Sequence, residues 1–367
     1  MPDRPRLRDI PAHAHGRFRH DPLMWCLATG FDFLNWFDGF SRLPDTRLGR
    51  PQEYCDVVVT ERRLVARDQS VVALSFELPG GGELPSWSPG AHLDVELPSG
   101  TRRQYSLCGD PADPSRYRIA VRLIPDGGGG SAEVHRELQV GSRLRIGLPR
   151  NAFPLAVGGH NQRTSAVRLI AGGIGITPIL PMITLLERTA MPWSMIYCGR
   201  SSDSMAFLPE VANYGDKITV HCDDESGFAT PAKLLGDLAG TPAVYTCGPP
   251  LMVDMLRAAL AERPDVEFHY ERFSAAPVVD GQEFTIHLAT TGEVVTVGAE
   301  QTALDAILTA RPDATYSCRQ GFCRSCAVRV LAGTPEHRST ALNSHEQDAG
   351  YFLPCVSRAE GSLTVEL

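Results

Sequence analysis

Between Tyr54 and Pro154 short apolar, β-rich runs are set off by turn residues, and this pattern predicts short strands. Asp56-Val57-Val58-Val59-Thr60, Val71-Val72-Ala73-Leu74-Ser75-Phe76, Leu93-Asp94-Val95-Glu96-Leu97 and Arg118-Ile119-Ala120-Val121-Arg122-Leu123 are rich in β-formers and separated by Gly and Pro. Short strands punctuated in this way predict an antiparallel β-barrel. From Ala166 the rhythm changes to strand–helix alternation. Val167–Ala171, Trp193–Cys198, Lys217–His221, Ala243–Cys247 and Glu267–Tyr270 read as strands, with helices over Pro178–Thr189 and Leu251–Ala261. That order predicts an open parallel α/β sheet. Ser274–Gly281 reads as a linker, and a small α+β unit follows.

Upstream of the first strand the pattern differs again. Residues 1–20 are rich in Pro, Arg and His, a composition that favours disorder. Asp21-Pro22 then supplies an N-cap and a first-turn proline for a helix over Leu23–Phe37. Trp25, Phe31, Phe33, Trp36 and Phe37 crowd that helix, while Thr29, Asp32, Asn35 and Asp38 fall on one side of it. The simplest reading is a helix laid against the body of the protein; docking to a partner or to a membrane surface is the alternative. The organisation is therefore an extension (1–50), a barrel (51–160), an α/β domain (161–273), a linker (274–281) and a small domain (282–367).

The small domain carries the most specific chemistry. Cys318-Arg319-Gln320-Gly321-Phe322-Cys323-Arg324-Ser325-Cys326 places three thiols at C-x4-C-x2-C spacing, and Cys355 follows far downstream. This is the plant-type [2Fe–2S] ligand pattern, in which a tight loop wraps the cluster and a distant segment closes it. Structural zinc, the competing reading, favours paired C-x2-C elements and has no need of one loop supplying three ligands. Gly321 gives the loop backbone freedom, and the small Ser325 lets backbone N–H groups face the sulfides.

Length and composition then bound the rest. A chain of 367 residues is too long for one core. A net charge of −8 argues against nucleic acid as a partner. Ten cysteines without a signal peptide point to a reducing compartment, the cytoplasm, with Cys26, Cys55 and Cys222 as free thiols. No apolar run is long enough to span a bilayer.

Upstream, two pairs of segments suit cofactors. In Arg103-Gln104-Tyr105-Ser106-Leu107 an Arg can neutralise a phosphate, an aromatic ring can stack on a heterocycle and a hydroxyl can bond a ring nitrogen. Asp126-Gly127-Gly128-Gly129-Gly130-Ser131 precedes a short helix over Ala132–Leu138, and Gly-rich backbone at a helix N-terminus binds anions. Ala171-Gly172-Gly173-Ile174-Gly175-Ile176-Thr177-Pro178 joins a strand to a helix and lets a pyrophosphate approach the backbone. Cys247-Gly248-Pro249-Pro250 ends another strand, at the carboxyl edge where open sheets bind ligands.

Together these residues, with Leu148-Pro149-Arg150-Asn151-Ala152-Phe153-Pro154-Leu155, resemble the phthalate dioxygenase reductase type of the ferredoxin-NADP reductase superfamily over Tyr54 to Leu367. The resemblance implies a flavin barrel, an NAD domain and a plant-type ferredoxin of β-grasp fold, in that order. It implies that Arg103, Gln104, Tyr105 and Ser106 hold flavin, with Gly129, Gly130 and Ser131 completing the phosphate site. Gly172, Gly173, Gly175 and Thr177 would line the NAD(P)H site, Cys247, Gly248 and Pro249 would lie near the nicotinamide, and Phe273 would pass close to flavin. Ser106, Cys247 and Phe273 are thus the residues nearest the reaction, and Cys318, Cys323, Cys326 and Cys355 the metal ligands. FMN is expected rather than FAD. NADH is expected rather than NADPH, with Arg200 and Ser201 at the adenosine ribose and Asp203 repelling a 2′-phosphate.

Two departures stand out. Arg324 occupies a position where glycine is usual, and Gly128 one where relatives often carry Arg.

The implied activity is hydride transfer from NADH to flavin followed by single-electron release through the cluster, whose type sits near roughly −400 mV. The acceptor would be a separate oxygenase, most simply a Rieske non-haem iron enzyme acting on an aromatic or amine compound. A haem-dependent demethylase or monooxygenase is the alternative partner. A flavin/iron–sulfur sensor without NADH turnover is the alternative of another class.

Overall fold

A computed structural model describes residues 53–367, apart from 126–128, 160–163, 239–241, 274–277, 317, 318, 322 and 340. The expected N-terminal helix, Asp126 to Gly128, the start of the linker and Cys318 lie outside the described residues. Those that are described belong to one compact unit.

Three sheets follow one another along it. The first holds β1 (Tyr54–Leu64), β2 (Val71–Glu77), β3 (Ala91–Glu96), β4 (Arg102–Ser106), β5 (Tyr117–Arg122), β6 (Arg143–Gly147) and β7 (Arg150–Asn151). Its order is β4-β3-β6-β1-β2-β5, with β7 on β3, and every pairing is antiparallel. Past the end of β4 the Cys108 N–H donates to the Arg118 carbonyl of β5 at 2.8 Å, so the two terminal strands meet. Helix α1 (Gly130–Glu137) lies between β5 and β6.

The second sheet is wholly parallel. It holds β8 (Ala166–Gly172), β9 (Trp193–Gly199), β10 (Ile218–Cys222), β11 (Pro242–Cys247) and β12 (Glu267–Glu271), in the order β10-β9-β8-β11-β12. Helix α2 (Ile176–Arg188) follows β8 and α3 (Pro250–Ala259) follows β11. Because the chain leaves β8 toward β9 on one side while β11 and β12 lie on the other, β8 and β11 frame the topological switch point.

The third sheet is mixed. β13 (Phe284–Leu288), β14 (Val294–Val297), β15 (Val328–Glu336), β16 (Tyr351–Phe352) and β17 (Arg358–Glu366) run in the order β14-β13-β17-β15-β16, with β13 and β17 parallel and α4 (Ala303–Ala310) packed on them.

Period-two side-chain placement explains how the first two sheets join. On β2, Val72, Leu74 and Phe76 enter the core of the first sheet. Val71 and Ala73 face the other way and enter a core shared with the second sheet, including Ile176, Ile179, Met182, Ile183 and Leu186 of α2. Those helical positions recur at intervals of three and four, so one stripe of α2 is buried. Each such side chain contributes about 1.5–3 kcal/mol on burial. Arg118 of β5 reinforces the junction by donating to both carboxylate oxygens of Glu210, at 3.1 and 3.0 Å. The third sheet instead keeps a core drawn from its own strands and α4. No helix among the described residues is long and apolar enough to cross a membrane.

Candidate functional site

The two pairs of cofactor segments read from the sequence converge where the first sheet meets the switch point of the second. At one end β4 presents Arg103, whose stem and guanidinium lie across Gly130. A Cβ built on Gly130 would sit 2.6 Å from Arg103 Nε, so only glycine lets Arg lie over the first turn of α1. Gly129 precedes that turn at φ 76°, a left-handed conformation that glycine adopts without strain, and no side chain caps the helix. An uncapped N-terminus beside a guanidinium is an anion site.

Neighbouring side chains have partners within the protein. The Ser131 hydroxyl accepts from the Ile124 N–H at 3.0 Å and so braces the loop before α1. Gln104 Nε2 donates to the Tyr316 carbonyl at 3.2 Å, away from the flavin segment and onto the third domain. Tyr105 packs against the first core, and burial pushes its hydroxyl up to about 12, so it stays protonated.

At the centre, Ser106 hydrogen-bonds Glu271, the last residue of β12, which parallel pairing sets beside Cys247. All three are buried. Burial raises the Glu271 carboxyl to about 8, the Ser106 hydrogen bond only partly opposing it. Burial and then the nearby Glu271 also raise the Cys247 thiol, so it is a neutral group and not a thiolate nucleophile. Glu271 was not singled out in the sequence. Its signal there was faint: an acidic residue ending the last β-run, just before Phe273.

The glycines of the second pair are held to close tolerances. A Cβ on Gly175 would lie 2.2 Å from the Cys247 carbonyl oxygen, and one on Gly172 would lie 2.6 Å from Pro249 Cδ. The carboxyl ends of β8 and β11 therefore touch through Gly172, Gly175, Gly248 and Pro249. Tyr197 of β9 donates to the Gly173 carbonyl at 3.1 Å, and Thr177 Oγ1 donates to the Ile174 carbonyl at 3.0 Å, fixing the turn. Phe273, 51% exposed, leaves β12 beside this edge. Further along the edge, the Asp224 N–H donates to the carbonyl of the exposed Arg200 at 3.0 Å. The Asp224 and Glu225 carboxylates and the Cys222 thiol come within 4.8 Å of one another there.

The cysteine loop lies against both strands. Cys326 and Cys355 share a hydrogen bond, and Cys323 acts electrostatically on both. The Gly321 backbone also hydrogen-bonds Cys355. Gly321 has φ 81°, and a Cβ there would lie 2.6 Å from Val356 Cγ2, so the loop can close only around glycine. Arg324 sits at φ 62°, a left-handed conformation that glycine would adopt without strain. Its guanidinium reaches Glu346 at 2.6 Å and the Ala341 carbonyl. Gln320 Nε2 donates to the Arg272 carbonyl at 2.9 Å.

These residues fit the groups that the motifs imply. Glu271 Oε2 and Thr246 Oγ1 are buried without a hydrogen-bond partner among the described residues. An atom left so costs about 1–3 kcal/mol, which a polar group on a bound ligand would relieve. Converging thiols with a backbone hydrogen bond to sulfur form a soft donor set suited to an iron–sulfur cluster.

Comparison with known proteins agrees. Residues 286–360 match the model of the 2Fe-2S iron-sulfur cluster binding domain. The chain is 38% identical over 320 residues to the vanillate O-demethylase oxidoreductase of Pseudomonas sp. (strain HR199 / DSM 7063), covering 84% of this chain and 98% of that protein. Its fold is similar to that of phthalate dioxygenase reductase, with a TM-score of 0.64 and 29% identity over 86% of this chain and 98% of that one. It is also similar to part of an intact type IV self-sufficient cytochrome P450 monooxygenase, with a TM-score of 0.67 and 35% identity over 86% of this chain and 41% of that one. With an antiparallel sheet, a parallel sheet and a cluster-binding domain in this order, the chain belongs to the phthalate- and vanillate-type reductases of the ferredoxin-NADP reductase superfamily, NAD(P)H-dependent flavin and [2Fe–2S] reductase components of oxygenase systems.

Proposed function

We propose that the donor is NADH, the flavin FMN, and the acceptor a separate Rieske non-haem iron oxygenase or demethylase acting on an aromatic or amine compound. The observation that carries this reading is the meeting of Ser106, Glu271 and Cys247 at the switch point, with the cysteine loop tied to both β4 and the end of β12. A flavin bound there supplies the change from two-electron to one-electron chemistry, and a [2Fe–2S] cluster held by Cys318, Cys323, Cys326 and Cys355 supplies the one-electron outlet.

The chain's own residues bind and orient. Arg103 and the first turn of α1, with Gly129, Gly130 and the Ser131 backbone, take a terminal phosphate, which favours FMN. Tyr105 offers an aromatic face and Ser106 a hydroxyl toward the ring. Gly172, Gly173, Gly175 and Thr177 let a pyrophosphate close on the turn before α2, while Cys247, Gly248 and Pro249 form the floor for a nicotinamide. Phe273 suits an aromatic that shields the flavin edge. Asp224 and Glu225, brought to Arg200, disfavour a 2′-phosphate and support NADH. Glu271, neutral below about pH 8, keeps charge out of the buried centre.

NADH added anaerobically to the purified protein should bleach the flavin and cluster bands together. An unchanged spectrum overturns the reading in favour of a sensor. The likeness to a self-sufficient P450 chain supports a second reading, a haem-dependent partner. Supplying each class of oxygenase with electrons from the reduced protein separates the two.

A further inference from the structure

The first two sheets are joined by a shared hydrophobic core, whereas the cluster domain keeps its own. A domain that keeps its own core can move relative to its neighbours. What crosses the boundary is specific. Gln104 donates to the Tyr316 carbonyl at 3.2 Å, and Gln320 donates to the Arg272 carbonyl at 2.9 Å. Gln104 stands between Arg103 and Tyr105, and Arg272 between Glu271 and Phe273. Tyr316 shortly precedes Cys318, and Gln320 lies between Cys318 and Cys323. Each bond thus runs from a peptide flanking the flavin segment to one flanking a cluster ligand.

The surroundings stiffen both bonds. The Arg319 guanidinium lies 4.6 Å from the centre of the Tyr316 ring, on the receiving peptide. The Arg272 side chain is anchored to Asp254 of α3, which steadies its carbonyl. Arg102, on the same face of β4 as Gln104, attracts Asp313 of the cluster domain. Neutral side-chain amides make both links.

We propose that Gln104 and Gln320 are positioning residues, a two-point latch that holds the cluster loop against β4 and the end of β12 and thereby sets the rate of electron passage. Tunnelling decays exponentially with distance, so a loop that drifts from this pose loses rate steeply. One neutral hydrogen bond shifts such an equilibrium about two- to tenfold. The inference rests on the electron order proposed above.

Gln320→Met keeps length and loses the donor; Gln104→Leu loses the donor from outside the cluster loop with a side chain one atom shorter. In each loaded variant, mixed anaerobically with NADH, reduction at the cluster band should slow by about two- to tenfold. Gln320→Met should keep the wild-type NADH-to-dye rate, iron and sulfide content and EPR spectrum of the reduced cluster. Backbone hydrogen exchange around Tyr316–Gln320 should quicken in it. Wild-type cluster reduction and wild-type exchange in Gln320→Met would overturn the latch. So would loss of flavin from Gln104→Leu with Gln320→Met unaffected, since Gln104 would then be a flavin residue. Failure of the electron order itself looks different: the wild-type protein would not bleach with NADH.

Discussion

Ser106 on β4 and Glu271 at the end of β12 share a hydrogen bond across the junction of two sheets, in a place where neither is exposed to water. This contact ties the end of β4 to the end of β12 and makes the centre of the proposed site sensitive to protons.

Burial raises Glu271 from 4.5 to about 8, so between those values the folded protein keeps a proton that the unfolded chain has released. The stability this group contributes is complete below pH 4.5 and is lost as pH climbs toward 8, roughly 3–5 kcal/mol in all. Glu271→Gln removes the titration. The wild-type Tm minus the variant Tm should therefore fall steadily between about pH 5 and 8. His92, held neutral by burial with its pKa down to about 3, raises stability as pH rises toward 6.5 in both proteins and cancels in the difference. Parallel melting curves would sink the assignment.

Gly130→Ala places a methyl group 2.6 Å from Arg103 Nε and forces the guanidinium off the first turn of α1. Flavin affinity should drop about tenfold or more, the value of one charge-assisted contact. Flavin fluorescence released on dilution measures it. Acid extraction of the wild-type protein, followed by chromatography, tests FMN against FAD in the same experiment.

Arg324 couples a left-handed backbone to two side-chain contacts, with Glu346 and the Ala341 carbonyl. Arg324→Ala loses the contacts and keeps the strain, whereas Arg324→Gly loses both. The glycine variant should be the more stable of the two by about 1 kcal/mol, read from chemical denaturation of the loaded protein. Equal stabilities would mean that the loop relaxes.

Cys355→Ser removes the ligand that closes the thiol set. NADH-to-dye activity should persist while reduction of cytochrome c through the cluster is lost. Equal loss of both activities would count against the proposed electron order.

The elements were legible because their signals are local. The β-rich runs Val71–Phe76 and Arg118–Leu123 marked strands found at Val71–Glu77 and Tyr117–Arg122. The helix expected over Pro178–Thr189 is found at Ile176–Arg188. The small domain was harder to resolve into strands, since β13 pairs with β17 from the far end of the domain. Each strand carries its own alternation, as in Phe284, Ile286 and Leu288, but alternation does not say which remote strand it pairs with.

Cysteine spacing, glycine-rich turns and the order of strand-rich and alternating segments are properties of neighbouring residues, and the chain alone determined them. Where Gln104 and Ser131 direct their polar atoms, and that Glu271 meets Ser106 and Cys247, only the tertiary structure decided. Those side chains answer to whichever peptide the fold brings within hydrogen-bond reach, and burial then sets their charge.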